Sequence, residues 1–368
     1  MNMDRRTFIG GASAIAATAL SLQRARAEGQ TVNVYNWADY IGQTTVADFE
    51  KATGIKVVYD TYDSSETVEA KMLTGSTGYD VVCIASRTLP RFVAANIVKP
   101  LDKAKLPNLA HLDPTLETIL GTLDPGNAHA IPYMWGSTGV TTNVDLVKAK
   151  LPDAPFESLD LLFKPENAEK LASCGINMLD SQANVIPMVL AYLGRDPLSE
   201  KQEDLDAVVA AFKPVRQYFK SFDNSNYING LPNKDVCVTM SWSGDYATAS
   251  ARGKEAGVNV NLRYDVPNSG SPIWFDVFVI PSDSKNVDAA HAFLNYLLDP
   301  QVIAAATNFT NYANANKDAT QYVSKDIVDN PAIYPSEDVK KRLWLPKPPS
   351  DEYERARTRA WNRIRTGS

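Results

Sequence analysis

The sequence predicts an α/β fold in which helices cover both faces of a parallel sheet. Strand-like and helix-like segments alternate from residue 31 onward, and short loops containing glycine separate them. The length of 368 residues also favours two domains over one. Ligands of such sheets bind beyond the carboxyl ends of the strands, so the residues that follow strands are the first candidates for a binding site.

The predicted elements follow from hydrophobic periodicity and turn residues. The helix at Thr44–Thr53, for example, places Val46 and Phe49 on one face and ends at Gly54, a residue typical of helix C-termini. The predicted strands are Thr31–Tyr35, Ile55–Tyr59, Tyr79–Ile84, Cys237–Trp242 and Trp274–Ile280, with a glycine-rich extended stretch at Ala130–Asn143. The other predicted helices are Ser65–Leu73, a segment after Leu89, a helical region at Phe156–Tyr218, Asn286–Leu298, and a tail from Asp351 whose arginines form a solvated face.

The first 27 residues have the pattern of a cleaved export signal. Arg5 and Arg6 form a twin arginine before an uncharged, alanine-rich stretch, and Ala25-Arg26-Ala27 supplies small residues for cleavage. No later segment of the sequence is apolar enough to cross a membrane. We therefore expect a mature protein that begins near Glu28 and resides in the periplasm.

Charge and cysteine content narrow the function classes. Removal of the signal, which carries four arginines and one aspartate, would change the formal net charge from −6 to −9. An acidic chain without a basic tract is a poor candidate for nucleic-acid binding. Three cysteines in an oxidising compartment predict one disulfide and one buried thiol, and their spacing matches no metal site.

Residue patterns typical of catalysis are scarce. The three histidines lie in no recognisable spacing for a metal ligand or a general base. The sequence contains no nucleophile elbow, phosphate-binding loop or dinucleotide fingerprint. We therefore predict a binding protein without catalytic residues, metal or cofactor, and not an enzyme.

Aromatic residues lie beside carboxylates at the predicted strand ends. An alkylammonium ligand needs this combination, because carboxylates accept its hydrogen bonds and aromatic faces line its methylene chain, with cation–π attraction of about 0.5–2 kcal/mol. Any single pair is explained equally well by a core aromatic beside a surface acid, but three pairs favour one shared amine pocket. The pairs are Trp37 with Asp39 and Tyr40, Trp242 with Asp245, and Trp274 with Asp276, and Tyr312 lies in a later loop.

At these residues the sequence resembles the periplasmic putrescine- and spermidine-binding proteins of polyamine ABC transporters, and most of all their putrescine branch. The similarity covers nearly the whole chain after the signal. The stretches that carry it include NWADYI at Asn36–Ile41, FEKATGIKVVYDTYDS at Phe49–Ser64, PYMWGSTG at Pro132–Gly139, FDVFVIP at Phe275–Pro281, YANANK at Tyr312–Lys317 and RTRAW at Arg357–Trp361.

The resemblance implies a two-lobed, type II periplasmic binding protein fold, in which each lobe is a sheet flanked by helices and the ligand lies in the interlobe cleft. The first lobe is expected to hold residues 28–134 and 250–300, and the second residues 135–249 and 301–368. A disulfide between Cys174 and Cys237 is also implied, with Cys83 free and buried. The implied ligand-binding set is Trp37, Asp39, Tyr40, Trp242, Asp245, Trp274, Asp276 and Tyr312, with Asp245 and Asp276 on one ammonium and the three tryptophans along the methylene chain.

Four positions depart from the family's pattern, and together with Ser181 they are candidate specificity residues. Ala38 and Ala85 replace small hydroxyl residues, and Asn184, with Ser181 nearby, replaces a glutamate expected at the distal ammonium. Arg87 occupies a position where the family has a serine or an aromatic residue. Either Arg87 points to solvent or pairs with an acid at the cleft rim while Asn184 still accepts a hydrogen bond, or one end of the pocket prefers a neutral or anionic group.

The predicted function is capture of putrescine or a related small aliphatic amine by closure of the two lobes. The predicted partner is the membrane permease of an ABC transporter, and the protein is expected to act as a monomer. One alternative ligand class is a one-ended or modified amine, such as an ω-amino acid or γ-glutamylputrescine. A second alternative is a liganded sensor for a membrane receptor.

Overall fold

The structure, a computed structural model, describes residues 30–367. The predicted export signal lies outside these residues. Within them, no helix is both long and apolar enough to cross a membrane. The same residues contain no cluster of three or more side chains able to hold a metal ion.

Eleven strands in the described part of the chain form a mixed sheet. Eight of them follow the order β2-β1-β3-β9-β4-β7-β5-β6, and the other three, β8, β10 and β11, are short and pair at the sides. The long strand β4 is the bridge: its first half pairs with β9 and β10, and its second half pairs with β7 and β8. The strands are β1 Thr31–Trp37, β2 Lys56–Tyr62, β3 Val81–Ala85, β4 Ala130–Asn143, β5 Ile176–Met178, β6 Phe219–Phe222, β7 Val238–Trp242, β8 Leu262–Asp265, β9 Ser271–Val279, β10 Ala313–Asn314 and β11 Leu343–Trp344.

The sheet consists of two parallel groups joined by antiparallel strands. β1 lies between β2 and β3 and is parallel to both, and β5 lies in the same way between β6 and β7. β9 and β4 lie between the two groups and are antiparallel to each other and to their outer neighbours β3 and β7. The predicted parallel sheet is thus found in the two outer groups, and the centre differs because two strands cross between them.

Sixteen α-helices cover the sheet in residues 30–367. They are α1 Thr45–Thr53, α2 Ser65–Leu73, α3 Leu89–Ala94, α4 Pro114–Leu120, α5 Val144–Lys150, α6 Asp160–Phe163, α7 Pro165–Ala172, α8 Gln182–Tyr192, α9 Gln202–Phe212, α10 Tyr227–Gly230, α11 Ser243–Glu255, α12 Val287–Leu297, α13 Pro300–Thr310, α14 Lys325–Val328, α15 Glu337–Lys340 and α16 Asp351–Thr366. This alternation confirms the predicted α/β class.

Two local predictions were wrong. The helical region predicted at Phe156–Tyr218 is interrupted by β5, a buried central strand whose three residues are too short a run for periodicity to distinguish from helix. The arginines of α16 do not all face solvent, because Arg357 is buried on the same face as Tyr353 and Ala360 and forms an ion pair with Glu354.

The buried apolar side chains form two clusters. The first contains Val34 and Phe278 and extends through residues 303–333, and the second contains Ile176 and Phe212 and extends to α16. The lobe boundaries stay a proposal, and the packing favours two changes to them. Residues 303–333 pack with the first cluster, whereas β8 pairs with the second half of β4 and its Leu262 packs on the second cluster.

The cysteines are arranged as the resemblance implied. Cys174 and Cys237 form a disulfide with Cα atoms 5.5 Å apart. Cys83 lies free and buried in β3. Both implied states of the cysteines are therefore confirmed.

Candidate ligand-binding site

Asp276 lies at the centre of the sheet, near the first parallel group. It lies on β9 opposite Ala85, the last residue of β3, and the residue as a whole is 7% exposed. The hydroxyl of Tyr40 donates a hydrogen bond to its carboxylate at 2.9 Å. Burial raises the pKa of Asp276 to about 7, against the opposing effects of Tyr40, the Trp37 indole and the charge of Arg87.

Asp245 occupies the corresponding place near the second parallel group. It lies in the first turn of α11, directly after β7, where the helix dipole favours a negative charge. Its carboxylate accepts hydrogen bonds from the hydroxyls of Tyr312, at 2.6 Å, and of Tyr227. Burial raises the pKa of Asp245 to about 6, although both tyrosines and Arg252 lower it.

Aromatic rings connect the two carboxylates. The Tyr40 ring, which bonds Asp276, meets the Tyr312 ring edge-on with centroids 5.3 Å apart. Tyr312 in turn bonds Asp245 and contacts the Trp274 ring at 5.4 Å. These five predicted residues therefore form one continuous cluster, which we call the acid–aromatic cluster.

Two buried indole groups in this region lack hydrogen-bond partners. The Nε1 atoms of Trp37 and Trp274 are inaccessible to solvent and make no hydrogen bond within the described part of the chain. The Trp37 indole lies near enough to Asp276 to lower the pKa of that carboxyl, but not in hydrogen-bonding geometry. An unsatisfied buried donor costs about 1–3 kcal/mol, and the Trp344 indole, outside the acid–aromatic cluster, is also without a partner in the described part of the chain.

Two glycines allow the backbone to approach the aromatic walls. A Cβ atom on Gly136 would lie 2.6 Å from the ring of Trp274, and one on Gly244 would lie 2.4 Å from the ring of Tyr312. Both positions therefore require a residue without a side chain. Both glycines neighbour predicted site residues along the sequence, but their contacts with these rings are not predictable from it.

The remaining predicted binding residues lie at the margin of the cluster. Trp242, at the end of β7, is partly buried and packs against both apolar clusters. Asp39 does not enter the acid–aromatic cluster: its side chain is 83% exposed, and its carboxylate lies 3.9 Å from Arg252. Ala38, beside it, is exposed in the same turn.

A small cavity adjoins the cluster at Trp274. Three of the candidate specificity residues line it, and the full lining is Ala85, Ser86, Arg87, Ala183, Asn184, Trp274, Phe275 and Pro346. We call it the Arg87 cavity. Trp274 is common to this cavity and to the acid–aromatic cluster, so the two regions are continuous through one side chain.

The polar groups around the Arg87 cavity are already engaged in part. Arg87 forms an ion pair with Glu69 at 3.1 Å, and Arg91 approaches the same carboxylate at 3.7 Å. The side chain of Asn184 accepts a hydrogen bond from Thr138 at 2.9 Å and donates one to Ser181 at 2.8 Å. Arg87 thus pairs with an acid, as the first of the two interpretations stated, while still facing the cavity.

Three residues of this region were missed by sequence reasoning. Tyr227 bonds Asp245 from a short helix, Glu69 holds Arg87, and Pro346 closes the cavity from the C-terminal segment. Tyr227 and Pro346 follow no predicted strand, and Glu69 looks like an ordinary solvated charge on a helix. No local signal could have found them.

Residues 44–335 match the family of bacterial extracellular solute-binding proteins. This chain belongs to that family. The match covers more than half of the chain, including most of both apolar clusters and every member of the acid–aromatic cluster except Tyr40.

Named relatives of this solute-binding protein agree with the match. It is 46% identical over 372 residues to the putrescine-binding periplasmic protein PotF of Escherichia coli K12, with all of both chains covered. It is 44% identical over 343 residues to the putrescine-binding periplasmic protein SpuD of Pseudomonas aeruginosa, with 93% of each chain covered. These relatives confirm the predicted resemblance and the prediction of a binding protein rather than an enzyme.

A solved structure confirms the predicted fold. A putative spermidine/putrescine ABC transporter protein from Listeria monocytogenes superposes with a TM-score of 0.83 at 28% identity, covering 92% of this chain and 100% of the other. The solute-binding protein therefore has the two-lobed type II architecture that the sequence resemblance implied.

Proposed function

We propose that this solute-binding protein captures a small aliphatic amine, with putrescine as the first candidate, in the acid–aromatic cluster. The observation that carries the proposal is the burial of two carboxylates, Asp245 and Asp276, neither of which forms an ion pair with a basic side chain of residues 30–367. The two arginines that influence their pKa values are paired elsewhere in the described chain, Arg87 with Glu69 and Arg252 with Asp39.

A ligand ammonium supplies what these carboxylates lack. It provides a positive charge and three hydrogen-bond donors, and a charged donor roughly doubles the strength of a hydrogen bond to a carboxylate. The rings of Trp274, Tyr40 and Tyr312 offer faces and edges for the methylene chain. The names of PotF and SpuD support putrescine as the ligand to test first.

The arrangement also supports a mechanism of capture. Asp276 and Tyr40 lie with the first apolar cluster, whereas Asp245 follows β7 of the second parallel group, in the first turn of a helix that packs on both clusters. A ligand that bonds both carboxylates therefore draws the two lobes together, and the closed form is the one a permease recognises. We propose the permease of an ABC importer as the partner of the monomer.

We further propose that the chain is exported to the periplasm and cleaved after Ala27. The twin arginine and the small residues before Glu28 support this, as do the periplasmic names of the relatives. The mass of the protein recovered from a periplasmic extract would reveal a different start if cleavage occurs elsewhere.

Calorimetric titration of putrescine into Asp276→Asn and Asp245→Asn tests the amine site. Each change removes a charge but keeps the shape of the side chain. We expect each to weaken binding by roughly 10- to 150-fold, the equivalent of about 1.5–3 kcal/mol for a hydrogen bond to a charged group.

The matched control is Asp39→Asn, which removes a carboxylate that lies outside the cluster and is mostly exposed. Its affinity should stay within about twofold of the unmodified protein, because exposed ion pairs contribute little. Undiminished putrescine affinity in both buried variants would refute the proposed site.

A further inference from the structure

We infer, on the basis of the proposed amine site, that the Arg87 cavity receives an oxygen-bearing end of the ligand. The ligand class is an aliphatic amine that carries a carbonyl or carboxylate at the end opposite its ammonium. The inference concerns only this second end. The ammonium remains in the acid–aromatic cluster.

The cavity lies where the far end of a ligand must go. Ala85 is opposite Asp276 in the β3–β9 register, and Arg87 follows two residues later in a short 3-10 helix at Ser86–Thr88. Arg87 is close enough to Asp276 to lower its pKa. Trp274 lines the cavity and also contacts Tyr312 of the acid–aromatic cluster, so its ring can lie along a chain that spans the two.

The charge around the cavity is positive. Its lining contains one charged side chain, Arg87, and no carboxylate. The carboxylate of Glu69 faces two guanidinium groups, those of Arg87 and Arg91, and these three groups together carry one net positive charge, while the carboxylates of Glu66 and Glu354 also act on Glu69. A second ammonium placed in this cavity would be repelled and would find no anionic partner among its lining residues.

Hydrogen-bond donors, by contrast, remain available there. The Arg87 guanidinium has five N–H groups and makes one side-chain hydrogen bond, to Glu69. The Asn184 amide uses one of its two N–H groups on Ser181. Its oxygen already accepts the bond from Thr138. The cavity therefore offers donors to an oxygen atom, and a planar guanidinium suits a carboxylate or an amide carbonyl.

The cavity walls come from three separate parts of the chain. Arg87 follows β3 of the first parallel group, Asn184 begins α8 of the second, and Pro346 belongs to the segment before α16. An oxygen bound there joins both lobes, as the ammonium does at the other end. The structure therefore assigns to this cavity a share in closure as well as in specificity.

The test is calorimetric titration of putrescine, N-acetylputrescine and γ-aminobutyrate into the unmodified protein and into Arg87→Ser. We expect at least one of the two oxygen-bearing amines to bind tenfold or more tightly than putrescine to the unmodified protein. Arg87→Ser should reduce or reverse that preference, because it removes both the donors and the positive charge.

Two further variants serve as controls. Arg91→Ser removes the other guanidinium on Glu69 but changes no residue of the cavity lining, so the ligand order should stay as it is. Arg87→Lys keeps the charge and should retain part of the preference. If Arg87→Ser does not fold, Arg87→Gln replaces it, because it removes the charge while keeping most of the length of the side chain.

The outcomes separate this inference from the proposed function. Binding that depends on Asp276 but favours putrescine, or an order that Arg87→Ser leaves unchanged, overturns the inference and leaves the amine site intact. Absence of binding by all three amines, or binding that neither Asp276→Asn nor Asp245→Asn weakens, overturns the proposed function itself.

Discussion

Asp276 and Asp245 differ in their surroundings, and the difference sets the order in which they ionise. Asp276 receives one tyrosine hydroxyl, and its pKa is raised to about 7. Asp245 receives two tyrosine hydroxyls and lies at a helix N-terminus, and its pKa is raised only to about 6. Burial is the largest cause in both cases, and the extra donors on Asp245 offset more of it.

These pKa values predict how amine affinity depends on pH. An alkylammonium stays charged between pH 5 and 8, since its pKa lies near 10, so only the carboxylates titrate. Above pH 7 both acids are ionised before binding. As the pH falls below about 7, Asp276 must release a proton to bind the ammonium, and Asp245 adds the same requirement below about 6.

We therefore expect the affinity to be nearly constant from about pH 7.5 to 8, to fall by up to about tenfold per unit between pH 7 and 6, and to fall more steeply, by up to about a hundredfold per unit, once both acids are protonated below pH 6. Calorimetry at pH 6 in buffers of different ionisation enthalpy should register proton release on binding. An affinity that does not change between pH 5 and 8 would show that neither carboxylate receives the ligand.

Asp39 illustrates the limit of inference from a single residue. It belongs to the same aromatic–acid pattern as the other two acids, yet its backbone φ of 54° turns the chain so that the carboxylate is exposed. Aspartate tolerates this left-handed conformation better than most residues. The pattern alone could not separate an acid inside the cluster from one at its rim.

Among the elements, α11 positions Asp245 through a close contact at its second residue. Gly244 leaves room for the Tyr312 ring, whose hydroxyl donates to the Asp245 carboxylate. Glycine is required at this position of the helix, because the Tyr312 ring, which comes from a distant loop, packs against it. The packing of Gly244 against the Tyr312 ring therefore affects the hydrogen bond that Tyr312 donates to Asp245.

Substitution of Gly244 by alanine should therefore displace Tyr312 and weaken amine binding by tenfold or more, through loss of the Tyr312 contact with Asp245. Alanine is favoured over glycine in a helix by about 1 kcal/mol, and this gain offsets part of the cost of displacing the ring. The midpoint of thermal unfolding should therefore change little. Calorimetry and thermal denaturation of the same sample measure both effects.

Tyr312→Phe is the matched comparison, because it removes the hydroxyl without the steric conflict. If Gly244→Ala binds the amine normally while Tyr312→Phe does not, the ring adjusts its position and the close contact has no functional weight. If both bind normally, the Tyr312 hydroxyl is dispensable for holding Asp245.

At the scale of the whole molecule, the two apolar clusters are connected by few elements. β4 and β9 cross between the parallel groups, and Trp242 packs against both clusters. The segment around β11 is a further connection, since β11 pairs with β9, Trp344 packs on the second cluster and Leu345 on the first. Such an arrangement allows the lobes to move while each keeps its own core.

The disulfide stabilises only one of these two parts. Cys174 and Cys237 are separated by 63 residues, and both lie within the second cluster. We expect Cys174→Ala with Cys237→Ala to lower the free energy of unfolding by about 4 kcal/mol, because the unfolded chain regains the entropy of a loop of this size. Amine affinity should stay within about twofold at temperatures where the variant is folded.

Urea denaturation followed by circular dichroism measures this loss. Cys83→Ala is the comparison, since it removes a buried thiol but no cross-link, and its effect should be smaller. A double variant no less stable than Cys83→Ala would mean that the unfolded chain gains little freedom when the cross-link is removed.

The sequence by itself determined the strands and helices of the first parallel group, the residue types of an amine site and the absence of a recognisable catalytic motif. Those features depend on neighbouring residues, and periodicity and strand ends report them directly. The family resemblance added the two-lobed fold and the cysteine pairing.

Only the tertiary structure decided which acids are buried together and which groups surround them. Tyr40 and Asp276 are 236 residues apart, and Glu69 reaches Arg87 from a different element. The position of β5 and the burial of Arg357 were likewise set by packing. The physical reason is that burial and pairing depend on the whole arrangement of the chain, whereas sequence patterns describe a few residues at a time.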